Sequence, residues 1–412
     1  MLLMDYPKIR ALEAIPVKKD LIALRDPLSI SDKMLFVPPN VLFICTLFDG
    51  KNSIVDVQAK YTRMYGDIIF SDKIKEILNQ LDSCFFLENE RFYERKKEIT
   101  EAFIKSDVRK ASHAGGAYEE NPETLIKQID SFFASEGGPG NLPKVRQETS
   151  GEQIRGIIAP HIDPRRGGTC YARSYGKIAQ SSSSRRFVIL GISHAVTEKK
   201  FVLTRKDFET PLGRVKTDRT FIDSITKKCK NDFFTDEFVH RNEHSIEFQV
   251  LFLQYLFRNE LEISIVPVLC SSINHVVGRG SSPMENEEVS EFINAVKMTE
   301  VETGDKVCFI AGVDLSHIGN RFGQSVVLSQ AFLEKIERDD RKMLDYVLAL
   351  DGEGFFRFIQ DEEDRRNVCG VPAIYTLLKA IDGGKAELLK YDMSVESQTN
   401  SVVSYAALAL YG

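Results

Sequence analysis

The stretch IRGIIAPHIDPRRGG, Ile154–Gly168, decides the fold class. Its opening run, Ile154–Ala159, is short and largely apolar, the pattern of a strand buried on both faces. A helical stretch follows over Gly168–Ala179. Working outward, the alternation repeats. Phe187–Leu190, Phe201–Leu203, Ile263–Leu269 and Val307–Ala311 read as further buried strands. Arg219–Lys228, Ser245–Phe257, Glu287–Met298 and Gln330–Tyr346 read as helices between or after them. Short apolar strands alternating with helices predict a layered α/β domain with a mostly parallel central sheet flanked by helices. In such sheets ligands bind beyond the carboxyl ends of the strands.

Three histidines fall at such ends. His161 follows Ile157–Ala159, His194 follows Phe187–Leu190, and His317 follows the run from Phe309. A fourth, His244, opens a helix in RNEHSIEFQ. Strand ends of one sheet lie side by side, so these imidazoles are expected to converge, and neutral imidazole is a common metal ligand. Acidic residues accompany them: Asp163, Asp314, Glu243 and Glu247. A carboxylate beside an imidazole can share a metal, orient the ring or act as a base. His244, Asp314 and His317 are therefore candidate catalytic groups, with a turn-forming role as the alternative for Asp314. Glu247 reads as a helix-surface charge. Asp163 and Arg165 are candidates for binding substrate beside His161, against the alternative of a solvated Arg165-Arg166 pair. Gly167-Gly168, before the helix, could offer backbone N–H groups to an anion. Cys170 and Cys369 sit among small and apolar residues and read as buried structural thiols.

Residues 1–108 read differently. Leu21–Leu24 is extended, Pro39–Leu47 and Ser53–Tyr65 are helical, and Gly66 ends the second helix. Ser71 is expected to cap a helix over Lys73–Leu81. Phe85–Leu87 and Arg91–Tyr93 are expected to pair as a two-stranded wing, and Glu94–Val108 to form a charged helical connector. Three short helices and a hairpin predict a small winged-helix domain, with a second domain over 109–412.

The bulk numbers are those of an ordinary globular chain: 43% hydrophobic and 28% charged over 412 residues. A net charge of −6 supplies no basic excess for a general nucleic-acid surface. The 7 cysteines lack CxxC spacing, which argues against a disulfide framework or a cysteine zinc site. No signal peptide is read at the N-terminus, and no apolar run approaches the roughly 20 residues that cross a bilayer. A cytoplasmic location without membrane contact is the expectation.

From Ser112 onward the chain resembles the Memo family, including the bacterial AmmeMemoRadiSam system protein B. The motifs run in order: SHAGGAYEENPETLIKQIDSFF, IIAPHIDPRRGG, FVILGISHAV, FETPLGRVKTD, NEHSIEFQ, IVPVLCSS, VDLSHIGNRFG, VCGVPAI and SVVSYAALAL. The resemblance moves the domain start back to about Lys110 and places the Gly-rich loop EGGPGNLPK (Glu136–Lys144) inside it. It implies a fold similar to class III extradiol dioxygenases, which hold Fe(II) with two His and a carboxylate. It implies His161 and His194 as two ligands and His244 as a further cleft histidine. The family's third ligand is commonly Cys; here Ser316 stands at that position, and a neutral hydroxyl is a poor ligand. Asp314, Asp163 or His244 could complete the set instead. Fe(II) is favoured over Cu or Zn.

The resemblance further implies dioxygen-dependent or redox chemistry on a small substrate. The alternative is a binding member of an AmmeMemoRadiSam system, with radical-SAM and AMMECR-type partner proteins and a peptide as ligand. A metal-free Ser316–His hydrolase is a third reading. The N-terminal stretch LRDPLSISDKMLFVPP…LFDGKNSIVDV…LDSCFFLENERF resembles PqqD-like peptide-binding domains.

Overall fold

The computed structural model describes residues 5–18, 20–145, 152–258, 262–274, 278–304, 306–381 and 383–412. It divides into two compact units, Met1–Lys105 and Ser106–Gly412.

In the first unit, β1 (Glu13–Lys18), β2 (Leu21–Arg25) and β3 (Met34–Val37) form an antiparallel sheet. Four helices follow: α1 (Pro39–Thr46), α2 (Ile54–Tyr65), α3 (Ser71–Ser83) and α4 (Glu90–Lys105). Ser53 and Asp56 form a reciprocal capping box at the start of α2, and Gly66 ends it in the left-handed conformation, φ 71°. Leu24 and Val37 join Ile44, Val57, Ile74, Leu78 and Leu81 in the core between sheet and helices. Two expectations are corrected. Ser71 is the first residue of α3, with Phe70 at the cap position. The wing is not formed: the Asn89 carboxamide oxygen accepts from the Phe92 N–H, so a helix starts where Arg91–Tyr93 was expected as a strand.

The second unit is built on one large sheet. After β4 (Val108–Arg109) and α5 (Pro122–Ala134) come β5 (Ile154–Ala159), α6 (Pro164–Ser181), β6 (Arg186–Ile192), β7 (Phe201–Leu203), β8 (Asp207–Thr210) and β9 (Gly213–Thr217). Next are α7 (Arg219–Thr226), α8 (His244–Phe257), β10 (Ser264–Cys270), α9 (Glu287–Thr303), β11 (Val307–Gly312) and β12 (His317–Gly319). The chain closes with α10 (Gln330–Leu348), α11 (Gly352–Asp361), α12 (Val371–Ala380), β13 (Lys385–Glu396) and β14 (Ser401–Tyr411). Among the described residues the strand order is β12-β14-β5-β11-β6-β10-β9-β8-β4, with β13 also on β14 and β7 also on β10.

The centre of this sheet, β5-β11-β6-β10, is parallel. Apart from Arg155, Arg186 and Ser264, its residues are buried on both faces, as their apolar runs require. One face carries Val188, Leu190, Val266 and Phe309 toward α9 and α12; the other carries Ile157, Phe187, Ile189 and Ile310 toward α6 and α8. The hairpin β13–β14 escaped the sequence reading. The eleven residues of β14 are all buried, and it borders β5, so SVVSYAALAL lacks the alternation that marks a half-exposed strand. Helices α11 and α12 were likewise not anticipated. Among the described residues no helix is long and apolar enough to cross a membrane.

Candidate metal centre

Strand order places the site. β5, β11 and β6 are adjacent, so the residues two positions beyond their carboxyl ends, His161, Asp314 and His194, emerge together. The fourth group comes from α8, whose first residue is His244. That helix start is pinned to β6: the Ser245 hydroxyl donates to the Ile192 carbonyl and accepts from its N–H, both 3.0 Å. Two strand glycines make the approach possible. A Cβ on Gly191 would lie 2.6 Å from Ser245 Oγ, and one on Gly312 would lie 2.7 Å from the Ser245 carbonyl. Gln249, one turn on, donates to the Pro160 carbonyl and ties the same helix to the end of β5.

His161, His194 and His244 each bring a ligand nitrogen within 4.8 Å of the others. Their ring centroids are 4.8–5.1 Å apart. The other nitrogen of each ring faces an acceptor. His161 Nδ1 lies 3.0 Å from the Gly312 carbonyl, His194 Nδ1 3.0 Å from Glu243 Oε2, and His244 Nδ1 3.2 Å from Glu243 Oε1. A proton held on each Nδ1 leaves Nε2 with its lone pair, the arrangement that orients metal-ligating imidazoles. The side chains range from 2% exposed at His161 through 28% at His244 to 43% at His194, so the cluster opens on the His194 side.

Glu243 is the hub. It accepts from His194 Nδ1 and from the backbone N–H groups of His194 and Ser245, and its carboxylate lies 3.2 Å from His244 Nδ1. Burial works against its charge, yet His194, His244 and those hydrogen bonds hold its carboxyl well below the usual range. Burial, then repulsion by the neighbouring rings, lowers His161 far below an ordinary imidazole. Burial lowers His244 to about 4, with Glu243 opposing. For His194 burial is outweighed by the Glu243 charge and hydrogen bond, and its affinity for a proton rises.

Asp314 Oδ2 lies 3.7 Å from His161 Nε2, while Oδ1 accepts from the N–H groups of His161 and Ile162. Burial pushes this carboxyl up to about 7. His317 opens β12; its Nδ1 is 3.0 Å from the Leu315 carbonyl, its ring packs edge-on to Phe322, and burial lowers it to about 4. Neither residue belongs to the group of three. Ser316 does not either. Its hydroxyl is fully buried, donates to Asp340 at 2.6 Å and accepts from Arg366 at 3.2 Å. Asp340 is further bonded by Arg366, Ser404 and Tyr391, so Ser316 is part of a buried ionic cluster. Asp163 caps α6, its Oδ1 accepting from the Arg165 N–H. The Arg165 guanidinium is bonded to the Gly116 carbonyl and lies 3.6 Å from Glu119.

Three readings from sequence are corrected. Glu247 is not a surface charge: it is fully buried, ion-paired to Arg109, and bonded by Ser112, the His113 N–H and Tyr118. Arg109 holds it at about 2 against burial. Gly167 and Gly168 lie inside α6, where Gly168 abuts the Phe132 ring, and offer no helix N-terminus to an anion. Cys369 is only partly buried, not a fully buried thiol, and its Sγ lies 3.4 Å from His161 Nε2. His113 also went unread; its ring sits 5.6 Å from that of His244. Both lie in stretches quoted for the family resemblance, but the cluster histidines they meet, His161 and His244, are more than a hundred residues away in sequence.

A family profile described as Memo-like protein matches residues 109–409. The chain belongs to the Memo-like family. It is 31% identical over 409 residues to a MEMO1 family protein of Aquifex aeolicus, covering 98% of this chain and all of that protein. It is also 31% identical over 303 residues to a MEMO1 family protein of Methanopyrus kandleri, and 28% identical over 313 residues to one of Pyrococcus abyssi. Those two alignments cover 72% and 74% of this chain but 96% and 99% of the relatives. Some relatives thus span the family region alone, whereas the Aquifex protein also aligns with the first unit. In this Memo-like chain the three histidines could hold a metal ion.

Proposed function

We propose that this Memo-like protein is a metal-dependent oxidoreductase, similar to extradiol dioxygenases, in which His161, His194 and His244 hold Fe(II) in preference to Cu or Zn. The supporting observation is the donor set: three imidazoles within reach of one ion, each with its second nitrogen on an acceptor. Neutral nitrogen donors suit Fe, Cu and Zn alike, and a neighbouring carboxylate favours iron. Bound Fe(II) would supply redox chemistry with dioxygen on a small substrate. The chain's own groups do the rest. Glu243 orients two rings. Asp314, with its carboxyl raised to about 7, holds or releases a proton beside His161 near neutral pH. His317, kept neutral, accepts a proton from substrate. Asp163 and Arg165 orient the substrate from the start of α6. The test is metal content after anaerobic purification. Near-stoichiometric iron in wild type, and none in the His161→Ala/His194→Ala double variant, is expected; equal iron in both refutes the assignment.

A second reading rests on the first unit, as a PqqD-like peptide-recognition unit of an AmmeMemoRadiSam system protein B. The outer face of its sheet exposes Ile15, Val17, Met34 and Phe36, an apolar patch of the kind that marks an interaction site. Under this reading Phe36→Ser in the full chain weakens capture of a radical-SAM or AMMECR-type partner while leaving metal content unchanged. Undiminished capture removes the reading.

A further inference from the structure

The motif SHAGGAY has no part in the proposed reaction, yet it is tied to the metal centre from beneath. Glu247 lies on α8 three residues after His244. Its carboxylate takes Arg109, the Ser112 N–H and hydroxyl, the His113 N–H and the Tyr118 hydroxyl. Arg109 also donates to the carbonyls of His240 and Glu243, closing the bracket on the residues that lead into α8. A buried, ionised hub with this many donors fixes the 109–118 segment against the first turn of the helix.

The consequence falls on two rings. His113 is held at both ends, by its backbone N–H on Glu247 and by Nε2 against the Asn242 carbonyl at 2.9 Å. Its ring stands edge-on to His244, centroids 5.6 Å apart and planes at 70°, and edge-on to Phe248 at 5.7 Å. The His244 ring approaches the Glu243 carboxylate at 3.2 Å through Nδ1. A contact at one nitrogen leaves a ring free to pivot about that contact. What blocks the pivot is packing: the His194 and His161 rings at 4.8 and 5.1 Å, and His113 and Phe248 at 5.6 and 5.3 Å.

We infer that His113 is a positioning residue of the metal centre, whose ring, carried on a backbone fixed by Glu247, packs against His244 and sets the direction of its donor nitrogen. This rests on the metal reading above. It assigns His113 a packing role and no bond to metal or substrate.

The test uses the full chain, stripped of metal and titrated with Co(II) alone. The dissociation constant and the visible d–d spectrum, which reports coordination geometry, are read together. His113→Ala is expected to weaken Co(II) about tenfold, the scale for loss of an outer-shell partner, and to alter the spectrum. His113→Phe keeps a ring at that place and is expected to restore both toward wild type. A His113→Ala protein with wild-type affinity and spectrum overturns the inference. So does His113→Phe as defective as His113→Ala, which would mean the imidazole nitrogen itself is needed. A lower melting temperature with an unchanged Co(II) spectrum makes His113 merely structural and also overturns it. Wild type that binds no Co(II) brings down the metal reading first, and this one with it.

Discussion

Replacing Glu243 by Gln keeps shape and removes one charge at the point where two candidate ligands are anchored. The carboxylate accepts from the N–H groups of His194 and Ser245 and faces Nδ1 of both His194 and His244. An amide has one acceptor oxygen, so whichever way it turns, donors on one side meet its NH2 group. Losing one outer-shell carboxylate lowers metal affinity about 10- to 100-fold. Because this one serves two rings, the expected loss is near the upper end, about 2.7 kcal/mol. The loss also depends on pH, with a defined sign. Glu243 raises the affinity of His194 for a proton, and that proton competes with the metal. In wild type, affinity therefore begins to fall at a higher pH than in Glu243→Gln, and the gap between the two narrows as the solution is acidified. The assay is a competition titration against a chromophoric chelator over a pH series, with circular dichroism to establish folding. Equal affinities at alkaline pH in two folded proteins would refute the reasoning, and a gap that widens on acidification would refute its electrostatic part.

Glu247→Gln should cost about 3–5 kcal/mol, because it leaves the fully buried Arg109 without its counter-charge; a melting temperature within a degree or so of wild type would contradict this. The same carboxyl gives an acid limit. Its pKa is depressed from 4.5 to about 2, so its contribution, roughly 3 kcal/mol, is present above 4.5 and lost as pH falls toward 2. Denaturant midpoints measured down that range should fall more steeply in wild type than in Glu247→Gln. Ser316→Ala should leave metal stoichiometry unchanged, since that hydroxyl is committed to Asp340, and should cost about 1 kcal/mol of stability; lost metal would restore Ser316 as a ligand. Gly191→Ala puts a methyl group 2.6 Å from Ser245 Oγ and should destabilise by about 1–3 kcal/mol. It should also weaken metal binding by displacing His244, and intact affinity would separate the helix start from the site.

The sequence alone determined the alternation of strands and helices. Runs such as Ile157–Ala159 and Val307–Gly312 are buried on both faces and so are apolar throughout. It also marked His161 and His194, because a polar residue directly after such a run lies at a strand's carboxyl end. Tertiary structure decided what a local pattern cannot encode. The order β5-β11-β6 set which strand ends are neighbours, and α8, let in by Gly191 and Gly312, set His244 against them. Glu247 reads as surface in a helical pattern and is buried only because Arg109 arrives from 138 residues earlier. Asn89 turned an expected wing strand into a helix start through one side-chain bond. Ser316 occupies a position that resemblance assigns to a ligand, yet Asp340, Arg366 and Ser404 converge on it from separate elements. Local periodicity records which faces are apolar; which charges meet is fixed by chain topology, because the partners lie tens to hundreds of residues apart.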